Sequence, residues 1–213
     1  MRNIEGLARA TVAEVRTHPD DNAYLQSYVD SIAQEIPQLR TLLILSQSGV
    51  ILADSRPDRP ALGMNASDRD YFIFHEDGQD NIFFVDDPVQ SRIDGLWSLP
   101  MTLGIWSDDD EFIGIVIASL DPIHLSSTIG NFTEQNIEGF IVKDNDLILT
   151  SLPYDPAQIG MALPYPHADT SSAIFATDSE LIAHQDVNQY NLSVVFVQTR
   201  ADILQPFLVE VLV

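Results

Sequence analysis

The chain contains no cysteine, one lysine and only ten basic residues against 32 acidic ones. Without cysteine, disulfide frameworks, thiolate nucleophiles and cysteine-ligated zinc sites are excluded. The net charge of −22 repels nucleic acid phosphates and anionic lipid, so neither is expected as a partner. The sequence has no run of the roughly 18–20 apolar residues that a membrane-spanning helix needs, and no apolar signal-peptide region is visible near residue 1.

Catalytic motifs are also missing. The five histidines show no HExxH spacing, and the sequence has no GxSxG, P-loop or GxGxxG motif. Asp68 and Asp70 could serve a small hydrolase as paired carboxylates, but nothing around them separates an acid from a base. We therefore expect a protein that is not itself an enzyme and that carries no metal or cofactor.

The chain carries an internal repeat. Residues 44–64 (ILSQSGVILADSRPDRPALGM) align without a gap with residues 141–161 (IVKDNDLILTSLPYDPAQIGM), at an offset of 97 residues. Each copy reads as a strand, a polar turn, a second strand and a proline-containing loop that closes on Gly-Met. The period is too long for a solenoid, whose repeats run about 20–50 residues. Two tandem copies of one small module are predicted.

Residues 1–38 are predicted to be helical. Apolar residues keep helical spacing on both sides of the sequence His18-Pro19-Asp20-Asp21, which interrupts the helix, and Asp20 or Asp21 can cap the second part. The apolar positions are Ile4, Leu7, Ala8, Val12 and Val15, then Tyr24, Leu25, Tyr28, Val29, Ile32 and Ile36. The helices form either a long stalk with a homodimer seam or a layer packed on their own domain.

The remaining sequence predicts an α+β fold: a long N-terminal helical segment followed by two PAS-like modules, each an antiparallel sheet with flanking helices. Five strands are expected in the first module, a linking helix over 125–138, and a shorter second module. The predicted divisions are N-terminal helices over 1–38, a larger module over 39–130, a smaller one over 131–204, and a C-terminal segment over 205–213 leading toward a transmembrane helix.

The most specific local motif is Asp68-Arg69-Asp70-Tyr71-Phe72. An arginine beside two aromatic rings can hold a small carboxylate through a bidentate pair with apolar cover. The alternative is a structural arginine paired with Asp68 or Asp70, with the rings in the core. Ser91 and Arg92, with Trp97 nearby, form a second candidate anion site, against the alternative of a surface arginine and a core tryptophan.

Two acidic stretches invite a cation-binding interpretation. Residues 108–111 (DDDE) and 144–146 (DND) offer carboxylate oxygens, but both fall on predicted hairpin turns and lack the alternating ligand spacing of calcium loops. Solvated turns are favoured. A cation- or protein-binding adhesion module is retained as the alternative function.

The order of these motifs resembles a known family. A helical segment, a hairpin containing ILADS, then LGMNASDRDYF, DDPVQSRIDGLWSLP, DDDEFIGIVIASLDPIHL and a smaller second copy are similar to the extracellular double Cache sensor domains of bacterial histidine kinases, chemoreceptors and diguanylate cyclases. The resemblance covers nearly the whole chain from about residue 20, and residues 62–125 are its most specific part. It implies a ligand pocket in the first, membrane-distal module, flanking transmembrane helices and a cytoplasmic output domain.

The resemblance also implies roles for particular residues. In the amino-acid-binding branch, an arginine followed by two aromatics holds the ligand carboxylate, which Arg69, Tyr71 and Phe72 match. The acidic residue that holds the ligand ammonium corresponds to Ser119 here, and Asp121 lies on the same strand face. A further aromatic corresponds to Val89. We therefore expect a small organic acid or other anion rather than a free α-amino acid, bound in a periplasmic sensor domain of an inner-membrane protein.

Overall fold

The computed structural model describes residues 1–78, 82–131, 136–143, 146–166 and 171–203. Within these ranges the chain is α+β, with helices at the N-terminus and two antiparallel sheets. The helices are α1 (Arg2–Thr17), α2 (Asn22–Glu35), α3 (Asp70–Glu76) and α4 (Pro122–Gly130). The strands are β1 (Leu39–Ser46), β2 (Ile51–Asp54), β3 (Phe84–Val85), β4 (Val89–Gln90), β5 (Trp97–Trp106), β6 (Phe112–Leu120), β7 (Glu138–Lys143), β8 (Ile148–Leu152), β9 (Ser172–Ala176), β10 (Glu180–Val187) and β11 (Leu192–Thr199).

The N-terminal segment forms two helices rather than one long helix. Helix α1 ends at Thr17, just before Pro19, which has no backbone N–H and cannot continue the helical hydrogen bonds. Asp21 caps α2 by accepting a hydrogen bond from the backbone N–H of Tyr24 at 2.9 Å. Helix α1 packs on β5 and β6, and α2 packs on β1 and β2. Of the two arrangements left open by the sequence, the helices therefore form a layer on their own sheet.

The buried face of α1 differs by one residue from the predicted apolar stripe. Thr11 is buried where Val12 was expected, and its hydroxyl donates to the backbone carbonyl of Leu7 at 2.9 Å. This bond satisfies the hydroxyl within its own helix, so a polar side chain can face the sheet. In α2 only Leu25 and Val29 are buried.

The first sheet has the strand order β2-β1-β6-β5-β3, with β4 also paired to β5. The sequence predicted one strand over residues 81–95, but the described part of that segment contains two short strands, β3 and β4. Pro88 lies between them and cannot donate to a strand partner, which explains the interruption. On one side of this sheet, Phe72 of α3 packs into a cluster with Leu43, Leu45, Ile115 and Ile117.

The second sheet has the order β8-β7-β11-β10-β9, so each sheet places its first strand between its second and last strands. Helix α4 packs on β7 and β8. It begins and ends earlier than the linking helix predicted over 125–138. The core of this half contains Phe140, Val142, Ile182, Val195 and Val197.

The internal repeat is visible in the backbone hydrogen bonds. In the first copy, the N–H of Ile51 donates to Met64 O at 2.9 Å, and in the second the N–H of Ile148 donates to Met161 O at 2.8 Å. The N–H of the glycine before each methionine donates back to the same isoleucine, at 2.9 and 2.8 Å. These glycines have φ of 79° and 80°, a left-handed conformation that glycine adopts without a steric penalty. The repeat therefore reproduces one hairpin and one closing loop.

The chain divides into two compact units, 1–121 and 122–213. The division comes just before α4, whereas the sequence placed the module boundary after it, at 130/131. The C-terminal segment predicted over 205–213 lies outside the described residues.

Candidate functional site

The first unit contains a cavity of about 90 Å³. This is well below the roughly 300–1,000 Å³ of pockets that hold drug-sized ligands, so the cavity suits a small molecule. It lies between the sheet, the loop that precedes α3 and the loop that follows β4. The lining residues are Arg40, Thr41, Leu43, Ile51, Arg56, Ala61, Met64, Asn65, Ala66, Arg69, Tyr71, Val89, Ser91, Arg92, Ile93, Ser98, Pro100, Ile117 and Ser119.

Strand pairing forms the floor of the cavity. Ser119 on β6 lies opposite Thr41 on β1 and opposite Pro100 on β5. Because strand side chains alternate between faces, Ser98 lies on the same face as Pro100, diagonal to Ser119. The floor therefore carries a row of three hydroxyl-bearing side chains from three neighbouring strands.

The loop before α3 delivers Arg69 to the opposite wall. The side-chain oxygen of Asn65 accepts hydrogen bonds from the N–H and hydroxyl of Ser67 at 2.8 and 2.7 Å, while its amide donates to Ser48 O at 2.8 Å. These bonds fasten the loop to the β1–β2 turn. Arg69 is then the N-cap residue of α3, in an extended conformation.

Arg69 has spare hydrogen-bonding capacity. Its Nη2 lies 3.4 Å from the carbonyl oxygen of Gln90, a long contact. Among the described residues it forms no ion pair with a carboxylate. A guanidinium has five N–H donors in a planar fork, so Arg69 can donate two parallel hydrogen bonds to one carboxylate.

Arg92 comes from the loop after β4 and is paired. Its Nη1 and Nη2 donate to the two carboxylate oxygens of Asp68 at 3.0 and 2.6 Å. These bonds lower the pKa of Asp68 from its usual value. Ser91 stands beside it, with its hydroxyl accepting from the N–H of Ile93 at 3.2 Å.

Two further arginines reach the cavity from β1 and from the loop after β2. Arg40 pairs with Asp94 at 2.5 Å and lies 4.0 Å from Asp121. Arg56 pairs with Asp54, whose carboxylate is fully buried, through two bonds of 3.0 Å. Asp54 also accepts from the backbone N–H of Ala61 at 3.0 Å.

Tyr71 is the aromatic residue of the cavity wall. Burial raises its pKa to about 12, so its hydroxyl remains protonated at any physiological pH. Phe72 does not line the cavity. It is fully buried in the core, and its ring packs edge-on against Phe112 with 5.7 Å between the ring centroids. Successive helical residues point about 100° apart, so both rings cannot face the same pocket.

Three hydroxyls in the cavity have no protein partner. Ser119, Ser98 and Tyr71 are 4%, 5% and 7% exposed. Among the described residues, none of their hydroxyls takes part in a hydrogen bond. Their oxygens are not among the buried polar atoms that lack a partner, so they are accessible from the cavity and can pair there with a ligand or with water.

The cavity wall is rich in arginine and, across the described residues, contains no aspartate or glutamate. Four of the nine arginines in the chain line it, although the chain has 32 acidic residues. Arginine forks and neutral hydroxyls are the groups that bind carboxylates and other oxyanions. The arrangement is therefore suited to an anion.

The structure brings together five of the eight residues named from the sequence: Arg69, Tyr71, Ser91, Arg92 and Ser119. Trp97 adjoins Ser98 on β5, so strand alternation turns it to the other face. Asp121 follows the end of β6 and lies near Arg40 rather than in the cavity wall. Val89, where the family has an aromatic residue by the resemblance, lies in the cavity lining.

Sequence reasoning missed lining residues that strand pairing and the loop between β2 and α3 bring together. Arg40, Thr41, Arg56, Asn65 and Ser98 lie far from Arg69 in sequence or carry no motif of their own. The strand pair over 41–55 was predicted, and Arg40 and Arg56 lie just before and just after it, where no motif marks either of them.

The acidic turn Asp108–Glu111 is closed by Ser107, whose hydroxyl accepts from the backbone N–H groups of Asp109 and Glu111 at 3.2 and 3.0 Å. Asp144 and Asn145 of the other acidic stretch lie outside the described residues. Over the ranges that the structure covers, no group of three or more potential ligands could hold a metal ion. No helix found there combines the length and apolar content needed to cross a bilayer.

Comparison with known proteins identifies relatives of this fold. The family model described as "Cache domain" matches residues 1–207. The extracellular domain of a candidate histidine kinase, rpHK1S-Z16, superposes with a TM-score of 0.79 at 22% identity, covering 95% of this chain and 88% of the other. The comparison with curated proteins gave no match.

Two other solved structures have informative descriptions. The sensor domain of the Vibrio cholerae histidine kinase DctB gives a TM-score of 0.62 at 12% identity, covering 89% of this chain and 84% of that one. The ligand-binding domain of the Pseudomonas fluorescens chemoreceptor CtaA, in complex with L-serine, gives 0.69 at 13% identity, covering 92% and 87%. At these identities the likeness shows a shared fold.

Proposed function

The chain belongs to the Cache domain family, and from this membership we propose that it is the extracytoplasmic sensor domain of a transmembrane signalling protein. Its similarity to sensor domains of histidine kinases and chemoreceptors supports that role. The full protein would carry a transmembrane helix on each side and an output domain of the kinase or diguanylate cyclase type. The first unit would be the membrane-distal module, and the second, with its following segment, the membrane-proximal one.

The proposed ligand is a small organic anion bound in the cavity of the first unit. The observation that supports this most strongly is the contrast between cavity and chain: four arginines and no described acidic residue line the cavity, in a protein of net charge −22. Elsewhere the excess of acidic groups repels anions, so the cavity is the favourable place for one. CtaA was solved with an amino acid; here the acidic partner that a ligand ammonium requires is replaced by Ser119.

Arg69 is the proposed anchor of the ligand carboxylate. Arg40, Arg56 and Arg92 already pair with aspartates, so their charge is largely neutralised and their N–H groups are partly used. Within the described part of the chain, the one hydrogen bond of the Arg69 side chain is the long contact with Gln90. Tyr71 covers the site from the side of α3.

Ligand binding can reach the N-terminal helices through hydrogen bonds of the first unit. The side chain of Gln26 on α2 accepts from the N–H of Asp54 at 3.0 Å and donates to its carbonyl at 2.9 Å. The carboxylate of Asp54 in turn holds Arg56 at the cavity wall. A ligand that fits one position of Arg56 better would favour one position of α2, which is the change an output domain could read. A homodimer through these helices stays a prediction.

Isothermal titration calorimetry with a panel of small carboxylates tests the proposal. Arg69→Ala should weaken binding of any positive compound about 10- to 100-fold, because hydrogen bonds to a charged group contribute roughly 1.5–3 kcal/mol. Arg9→Ala is the matched control: it removes the same charge from an exposed pair with Glu5 on α1 and should leave affinity unchanged. Equal affinity in Arg69→Ala and the unmodified protein would show that Arg69 does not bind the ligand carboxylate.

A further inference from the structure

The hydroxyl groups of the cavity indicate what the second end of the ligand could be. Ser98, Ser119 and Tyr71 are all buried, all line the cavity, and none is hydrogen-bonded to a described residue. Each hydroxyl can donate one hydrogen bond and accept others. Because these oxygens are not among the fully buried unpaired atoms, they are open to whatever molecule occupies the cavity.

The charged groups around the cavity limit which ligand group can bind next to these hydroxyls. A ligand ammonium is a donor with a full positive charge. It would meet Arg69, and no carboxylate among the described lining residues could pair with it, because the aspartates that pair with Arg40, Arg56 and Arg92 lie outside the lining. Like charges at short distance repel strongly where water is excluded. A hydroxyl, carbonyl or second carboxylate meets no such penalty and can accept hydrogen bonds from the hydroxyls and from the guanidinium N–H groups.

We propose that Ser98, Ser119 and Tyr71 form a recognition wall for an oxygen-bearing group of the bound acid, so that the ligand is a small oxygen-rich carboxylate without an amine, such as a hydroxy, keto or dicarboxylic acid. The inference rests on the proposed function, because it assumes that Arg69 holds the first carboxylate. Ser119 is the central specificity residue, because it sits between Thr41 and Pro100 in the middle of the floor.

Matched pairs of compounds test the ligand class. Glycolate and glycine, L-lactate and L-alanine, and L-malate and L-aspartate each differ only in a hydroxyl against an ammonium. Calorimetry on the unmodified protein should show at least a ten-fold preference for the hydroxy acid in any pair that binds. Equal or tighter binding of the amine would overturn the inference while leaving the Arg69 anchor intact.

Variants test the wall itself. Ser119→Ala and Ser98→Ala should each weaken L-lactate or L-malate about 2- to 12-fold, the range of one neutral hydrogen bond. Their affinity for propionate or succinate, which lack the hydroxyl, should stay constant, so the ratio between the two acids reports the contact independently of stability. Ser127→Ala is the control, because that exposed hydroxyl bonds only within its own helix. An unchanged ratio in both wall variants would overturn the assignment.

One substitution should reverse the preference. Ser119→Asp places a carboxylate on the floor, so it should weaken L-lactate and strengthen L-alanine. If no carboxylic acid binds the unmodified protein, or if Arg69→Ala leaves the affinity unchanged, the proposed function is wrong and so is this inference. Binding that depends on Arg69 but not on Ser98 or Ser119 refutes the recognition wall alone.

Discussion

Asp54 is the residue on which the geometry of the cavity wall depends most. Its side chain is fully buried and accepts hydrogen bonds from the backbone and side chain of Arg56 and from the N–H of Ala61, all at 3.0 Å. A buried ion pair with its remaining acceptors satisfied is tolerated, whereas a buried charge that loses its partner is very costly. Asp54 therefore fixes Arg56 and the loop after β2 together.

Replacing Asp54 by alanine should lower the free energy of unfolding by about 3–5 kcal/mol, because Arg56 would be left half-buried without its partner. Urea denaturation followed by circular dichroism measures the change. Arg9→Ala, which breaks an exposed pair with Glu5 within α1, should cost no more than about 0.5 kcal/mol. Similar losses in the two variants would contradict the role assigned to Asp54.

The sequence located single residues well where a local motif marked them and poorly elsewhere. The string around Arg69 pointed to a cavity residue because an arginine and an aromatic ring stood together before a helix. It could not separate Tyr71 from Phe72, since their directions depend on where α3 begins. Arg40 and Arg56 carried no signal of their own, because their approach to Arg69 depends on strand pairing and on the path of the loop.

At the scale of secondary-structure elements, the β1–β2 turn sets the position of the loop that carries Arg69. Gly49 has a φ of 77°. A Cβ built on Gly49 would lie 2.6 Å from the Cβ of Ser67 and 2.7 Å from the backbone nitrogen of Ser67. The turn and the loop are thus in direct contact, and only glycine fits between them without a shift. Gly63 has a similar φ of 79° with nothing within 4 Å of its added Cβ.

Alanine substitutions at these two glycines distinguish the cost of a left-handed backbone, which both share, from the cost of a steric clash, which only Gly49 would add. Gly63→Ala should cost about 1 kcal/mol from the left-handed conformation alone, a drop of roughly 2–4 °C in melting temperature. Gly49→Ala should lower the melting temperature further and also weaken carboxylate binding, because Ser67 and the following loop must move. Differential scanning calorimetry and titration measure the two effects. Equal melting temperatures and affinities in both variants would show that the contact with Ser67 is unimportant.

Helix and strand boundaries were predictable where nearby residues in the sequence determine them. Pro19 and the capping residue Asp21 marked the interruption between α1 and α2, and the turn residues marked the hairpins of both repeats. The division of the strand at Pro88 was missed, because the apolar run on its N-terminal side outweighed one proline. Packing of the N-terminal helices on the sheet could not be decided either, since an amphipathic stripe suits a dimer seam equally well.

At the scale of the whole molecule, the two units share a strand order but not a charge pattern. Eight of the ten basic residues belong to residues 1–121. At the offset of 97, Arg40, Arg56 and Arg69 correspond to Ile137, Pro153 and Pro166. The repeat thus reproduces the scaffold without the arginines, and anion binding is expected in the first unit alone.

Hydrogen exchange should reveal this asymmetry. With a saturating carboxylate, amides of β1, β5 and β6 should exchange more slowly, since a ligand that binds only the folded state suppresses opening of the unit it contacts. Amides of β7, β10 and β11 should be unaffected. Mass spectrometry of peptic fragments resolves the two sets. Slower exchange throughout the second sheet would contradict a ligand effect confined to the first unit.

The paired closing loops also show which parts of the repeat tolerate a change of residue. Only six of 21 aligned residues are identical between residues 44–64 and 141–161, yet the same peptide groups are bonded at both positions. The loop is therefore held by the main chain, so most of its side chains can differ between the copies without opening it. A chimera that exchanges residues 52–62 for 149–159 should consequently keep both Gly-Met corners closed.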